Sequence, residues 1–86
     1  MQVPELEFPC DYPIKVIGDS SVDFAAVIGA IVVEHVQGFD PTTIVEQASR
    51  NGNFVSLRIK FRAESRIQLD TLHKALIDSG RVKMVI

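Results

Sequence analysis

The sequence predicts an α+β domain: a four-stranded antiparallel sheet with two helices on one face, in the chain order βαββαβ. Three observations carry this. Phe54 to Arg62 alternates strictly, with Val55, Leu57, Ile59 and Phe61 on one side and Ser56, Arg58, Lys60 and Arg62 on the other. That is the period of a strand with one buried face, and a sheet with one wet face is usually antiparallel. Asn51-Gly52, just before it, is a hairpin signal, because both residues tolerate positive φ. Two stretches of helical period, one before this hairpin and one after, are each flanked by an alternating run.

A chain of 86 residues, 47% hydrophobic and 23% charged, has room for one core and one domain. Residues 1–11, with Pro4 and Pro9, form an acidic lead expected to be extended or partly disordered, and residues 12–86 form the domain. Tyr12 to Ile17 reads as the first strand, with Tyr12, Ile14 and Val16 facing inward and Lys15 outward. Gly18-Asp19-Ser20-Ser21 ends it, and Ser20 with Asp23 is a helix-start pattern. The first helix is expected from about Val22 to about Val36, with Phe24, Ile28, Ile31, Val32 and His35 on one face. Its other side is also apolar, through Val22, Ala26, Gly29, Ala30 and Val33, so it should be covered on both sides.

Gly38 and Pro41 stop that helix, and Thr42 to Ala48 is a β-prone second strand of ambiguous facing, since Ile44 and Val45 are adjacent. After the third strand, Ser65 with Gln68 makes a capping-box pattern. Leu69, Leu72, Ala75 and Leu76 form the inner face of a second helix that Gly80 terminates, and Asp70 with Lys74 is an i,i+4 pair outside. Arg81 to Ile86 alternates as a fourth strand, Val82, Met84 and Ile86 against Arg81, Lys83 and Val85. Right-handed crossovers in both βαβ halves give the ferredoxin-like plait with strand order 4-1-3-2.

Leu6-Glu7-Phe8-Pro9, Lys15-Val16-Ile17-Gly18, His35, Ser49, Gly52-Asn53-Phe54, Ser56 and the terminal Val82-Lys83-Met84-Val85-Ile86 together resemble the YbeD-like family of small bacterial proteins of unknown function. The resemblance spans nearly the whole chain. It implies a plait similar to the regulatory ACT domains of amino-acid metabolism and, by family association, a link to lipoate attachment. It supplies no catalytic residues. The chain departs from the pattern in a shortened link between Pro9 and Tyr12 and in a more apolar first helix.

No catalytic or metal-ligating constellation stands out. His35 and His73 lie on different helices without a cysteine or carboxylate at ligand spacing, and His35 suits the carbonyls at a helix end. Cys10, the single cysteine, has no positioned base and fits a reducing compartment. With no signal-peptide pattern and no apolar run long enough to cross a bilayer, a cytoplasmic protein that does not enter membranes is expected. No cofactor or metal is expected.

Three candidate sites remain. Gly18, Asp19, Ser20 and Ser21 join the first strand to the first helix, where ACT-like domains hold small ligands and where free N–H groups suit a carboxylate. Lys15, Arg58, Lys60, Arg62, Arg81 and Lys83 share the outward parity and make a basic sheet face for an acidic partner protein or small anionic ligand. Val22, Ala26, Gly29, Ala30 and Val33 could seat a second copy in a homodimer. The expectation is a non-enzymatic ACT-like regulatory or adaptor domain. The alternative is a weak nucleic-acid-binding module on the basic face, with sequence-specific recognition disfavoured because the central outward positions lack stacking aromatics.

Overall fold

The computed structural model describes residues 7–86. It has β1 (Cys10–Asp19), α1 (Phe24–His35), a 3-10 turn (Pro41–Thr43), β2 (Val45–Ala48), β3 (Phe54–Ala63), α2 (Arg66–Asp78) and β4 (Val82–Val85). The strands form one antiparallel sheet in the order β2-β3-β1-β4, which is the expected plait.

The alternation in β3 sets the layers. Val55, Leu57, Ile59 and Phe61 are buried, and Arg58, Lys60 and Arg62 are exposed. β1 lies beside it in full register, with Tyr12 opposite Phe61, Ile14 opposite Ile59 and Val16 opposite Leu57. Phe24, Ile28 and Val32 of α1 and Leu72 and Leu76 of α2 close the core from above. Of the three aromatics of the central strands, Tyr12 and Phe61 belong to this inner side, their ring centroids 6.0 Å apart.

Several boundaries differ from those the sequence suggests. β1 begins at Cys10, because Cys10 and Asp11 pair with Ala63 and Arg62. Of the proposed lead, residues 1–6 lie outside the described residues. The helix-start pattern at Ser20 is not used: α1 begins at Phe24, after an Asp23 that makes no side-chain cap. Asp23 instead accepts from the Arg81 guanidinium at 2.6 Å. The first three residues of the expected second strand form the 3-10 turn plus a linker, since Pro41 lacks a ladder donor and Asp40 holds the turn through its carboxylate. Thr42 donates to Asp40 through its hydroxyl at 2.7 Å and its N–H at 2.9 Å. Those two bonds, the hydroxyl's first, hold the Asp40 carboxyl below its ordinary range. A lowered carboxylate supports the fold above its ordinary pKa, so this tie is lost only as the pH falls through the folded value.

At the β2–β3 hairpin only Gly52 takes positive φ, at 76°, closing a turn in which its N–H donates to the Ser49 carbonyl. Ser65 caps α2 by accepting from the Gln68 N–H at 3.1 Å. Gln68 reaches back to the Glu64 N–H and across to the His35 carbonyl, tying the two helices. Ser65→Ala is therefore expected to cost about 0.5–2 kcal/mol in urea denaturation. A loss below the resolution of the measurement would show the cap to be redundant. Lys74 pairs with Asp78 at 2.9 Å and not with Asp70.

β4 departs from simple alternation. Ile17 opposes Met84 but Gly18 opposes Val82, so Lys83 is an extra residue in a bulge. The bulge reverses the parity of the strand. Val82 and Val85 pack against the core, while Met84 and Ile86 turn to the outer face.

Candidate functional site

The outer face of the sheet is a sequence of cross-strand rungs. At one end Arg62 opposes Asp11 and pairs with it at 3.5 Å. Next, Lys60 lies opposite Pro13. The central rung runs as Val45 of β2, Arg58 of β3, Lys15 of β1 and Ile86, the residue after β4, which is held to Lys15 by two backbone hydrogen bonds of 3.0 and 2.9 Å. Below it run Gln47, Ser56, Ile17 and Met84. Phe54 opposes Asp19 at the far end, where Asp19 pairs with Lys83 at 3.7 Å.

The six cations of the proposed basic face therefore separate into two groups. Arg62, Lys83 and Arg81 each have a carboxylate partner. Arg81 leaves the face altogether, since it precedes β4 and bonds Asp23 beside the start of α1. Lys15, Arg58 and Lys60 form a central cluster without a carboxylate within salt-bridge distance among the described residues. The only side-chain bond of Arg58 among the described residues is to the Gln47 amide oxygen, at 3.2 Å. Lys15 and Arg58 are direct cross-strand partners, an arrangement in which like charges destabilise a sheet.

Around the cluster lies exposed apolar surface. Val45 is 55% exposed, Met84 53% and Ile86 67%. Pro13, Val45 and Ile86 with the cation stems line a shallow trough of about 380 Å³. These apolar flanks were not among the expected site residues. Gly18 was the available signal for Met84 and Ile86, because a glycine inside a strand pattern marks bulges. The Ile44-Val45 pair was the signal for Val45.

Gly18, Asp19, Ser20 and Ser21 have other occupations. Gly18 is buried, and a Cβ there would meet the Arg81 carbonyl oxygen and stand 2.5 Å from the Phe24 ring. Asp19 is paired with Lys83, the Ser20 N–H donates to the Asn53 carbonyl, and the Ser21 carbonyl accepts from Phe24. None of the four residues lines the outer trough or the groove described next.

The α1 strip is divided as well. Gly29 is buried, with Pro41 Cβ and the Ile44 side chain each 3.5 Å from where its own Cβ would lie. Ala26, Ala30 and Val33 remain exposed and line a groove of about 580 Å³ between α1 and the 3-10 turn. Val22 stands outside the groove, before the helix. His35 donates from Nδ1 to the Ile31 carbonyl at 2.9 Å, as a helix-end histidine should. Among the described residues no three His, Cys, Asp or Glu side chains gather as a metal site, and no helix is long and apolar enough to cross a membrane.

Residues 3–86 match the family described as "Protein of unknown function (DUF493)". The chain is 41% identical to the UPF0250 protein of Ectopseudomonas mendocina over 87 aligned residues, covering 100% of this chain and 95% of that one. It is 42% identical to the UPF0250 protein NE1487 of Nitrosomonas europaea over 81 residues, covering 94% and 93%. Among solved structures it resembles protein HP0495 from H. pylori, determined in solution, with a TM-score of 0.79 and 14% identity over 99% of this chain and 89% of that one. That likeness supports the plait.

Proposed function

We propose that this chain, which belongs to the DUF493 family of proteins of unknown function, is a non-enzymatic adaptor or regulatory domain that docks an acidic partner protein on the outer face of its sheet. The observation that carries this is the central rung. Lys15 and Arg58 face each other with Lys60 adjacent, no carboxylate of the described residues compensates them, and exposed Val45, Met84 and Ile86 flank them. A face needed only for solubility would intersperse both signs, as the Asp11–Arg62 and Asp19–Lys83 ends do. Uncompensated charge steers and selects a complementary partner, and the exposed apolar surface beside it adds burial on docking.

Affinity capture from bacterial lysate with wild type and with Arg58→Gln/Lys60→Gln, followed by binding measurements on the purified captured protein, tests the reading. The expected result is an acidic partner whose binding falls as salt rises and is lost in the double variant. A double variant that keeps every wild-type partner would remove the proposal. The nucleic-acid alternative would use the same cations, but Phe54 is the one aromatic on this face among the described residues, at the end of the sheet. One platform does not support base stacking along a strand.

A second reading, self-association, is favoured by the open edge beside the α1 groove. All four residues of β2 are exposed, and Glu46 of that edge lines the groove with Ala26, Ala30 and Val33. An isologous pairing would cover strip and edge together. Sedimentation at high micromolar concentration should then show a wild-type dimer and an Ala30→Glu monomer. A wild-type monomer throughout would end this reading and leave the first untouched.

A further inference from the structure

We infer that the partner element seated on the outer face is an α-helix carrying a row of carboxylates between two apolar rows. This rests on the adaptor reading above and names the occupant of that site.

The backbone of the sheet selects a helix. At the central rung β3 is paired to β2 and β1, and β1 to β3 and β4, so the floor offers no free ladder groups. An extended peptide laid across it would bury its own N–H and C=O groups without partners, whereas a helix satisfies them internally. Extended peptides belong at sheet edges.

The dimensions agree. Four strands at about 4.8 Å spacing make a floor about 14 Å across, the width for one helix of about 10 Å. Arg58 and Lys60 are two residues apart on one strand, about 6.7 Å, close to the roughly 6 Å rise between i and i+4 on a helix. A carboxylate row along β3 and β1 would thus meet Arg58, Lys60 and Lys15. The order apolar, cation, cation, apolar across the rung then places apolar rows against Val45 on one side and Met84 with Ile86 on the other.

A second copy of this chain is a poor occupant. Two outer faces together would oppose two cationic clusters. The exposed side of α2 mixes Arg66 and Lys74 with Asp70 and Asp78, and that of α1 carries Glu34 as its one charge.

Fluorescence anisotropy on the full chain tests the inference with four probes. The first is a peptide of about 15 residues, stapled as a helix, with Glu at i, i+4 and i+7 and Leu on the rows to either side. The others are its Gln-for-Glu version, an unstapled version with a central proline, and a single-stranded oligouridine. The proteins are wild type, Arg58→Gln/Lys60→Gln, and Val45→Ser/Met84→Ser, all changed at exposed positions.

The expected result is saturable binding of the acidic helix, weakened about tenfold or more by each change to the peptide and by each double variant. Equal binding of the proline-broken acidic peptide would overturn the helix while leaving the acidic-partner reading intact. Wild-type binding of no acidic peptide, or binding indifferent to Arg58→Gln/Lys60→Gln, would overturn both. Oligouridine bound as tightly as the acidic helix, and indifferent to Val45→Ser/Met84→Ser, would also overturn both, in favour of nucleic acid.

Discussion

Leu57→Ala is expected to lower the free energy of unfolding by about 2–5 kcal/mol, out of the roughly 4–13 kcal/mol that a domain of this length has. Leu57 is 0% exposed at the centre of β3, between Val16 of β1 on one side and β2 on the other, beneath the helices. Truncation removes the transfer energy of the side chain and leaves a cavity that two paired strands cannot easily close. Urea denaturation measures the loss. Its neighbour in sequence, Arg58, points to water, and Arg58→Ala should change stability by no more than about 1 kcal/mol. Comparable losses at the two positions would mean that the strand faces are not separated as described.

The second large effect is expected at Gly18. Its inner-face position is occupied by the edge of the Phe24 ring and by the Arg81 carbonyl, so a methyl group there forces the first turn of α1 away from β1 or opens the β4 bulge. Gly18→Ala should cost about 1–3 kcal/mol by overpacking, and Gly18→Val more. Thermal unfolding of both variants checks this. A Gly18→Val protein as stable as wild type would show that the loop between β1 and α1 is free to move, and would restore that loop as a candidate ligand site.

Much of this fold is legible in the residues because local pattern and tertiary position agree. In β3 every second side chain is buried, as the alternation of Val55, Leu57, Ile59 and Phe61 implies, and in α2 the Ser65 cap and the Leu72 and Leu76 face stand where the period puts them. Two of the failures originate in contacts distant in sequence and one in a local turn. Asp23 and Ser20 resemble a helix start, but Arg81, 58 residues from Asp23, claims its carboxylate. Thr42 and Thr43 are β-prone, but Pro41 and the Asp40 carboxylate turn the chain there. The parity of β4 depends on a bulge against Gly18 that no pattern within β4 itself records. That last point matters most for the site. The cations Lys15, Arg58 and Lys60 could be placed on the outer face from alternation alone, whereas Met84 and Ile86 arrive beside them only through the bulge.

The proposed docking role has the Lys15–Arg58–Lys60 cluster carried for binding and not for stability. Lys15 and Arg58, facing each other, should repel in the free domain, and salt should screen that repulsion. Denaturation of wild type and of Lys15→Gln/Arg58→Gln at low and high salt measures this without any partner. The expected result is a double variant as stable as wild type or more so at low salt, by up to about 1 kcal/mol, with the difference shrinking as salt rises. A double variant less stable by more than about 1 kcal/mol at low salt would make the cluster a structural element and remove the docking proposal.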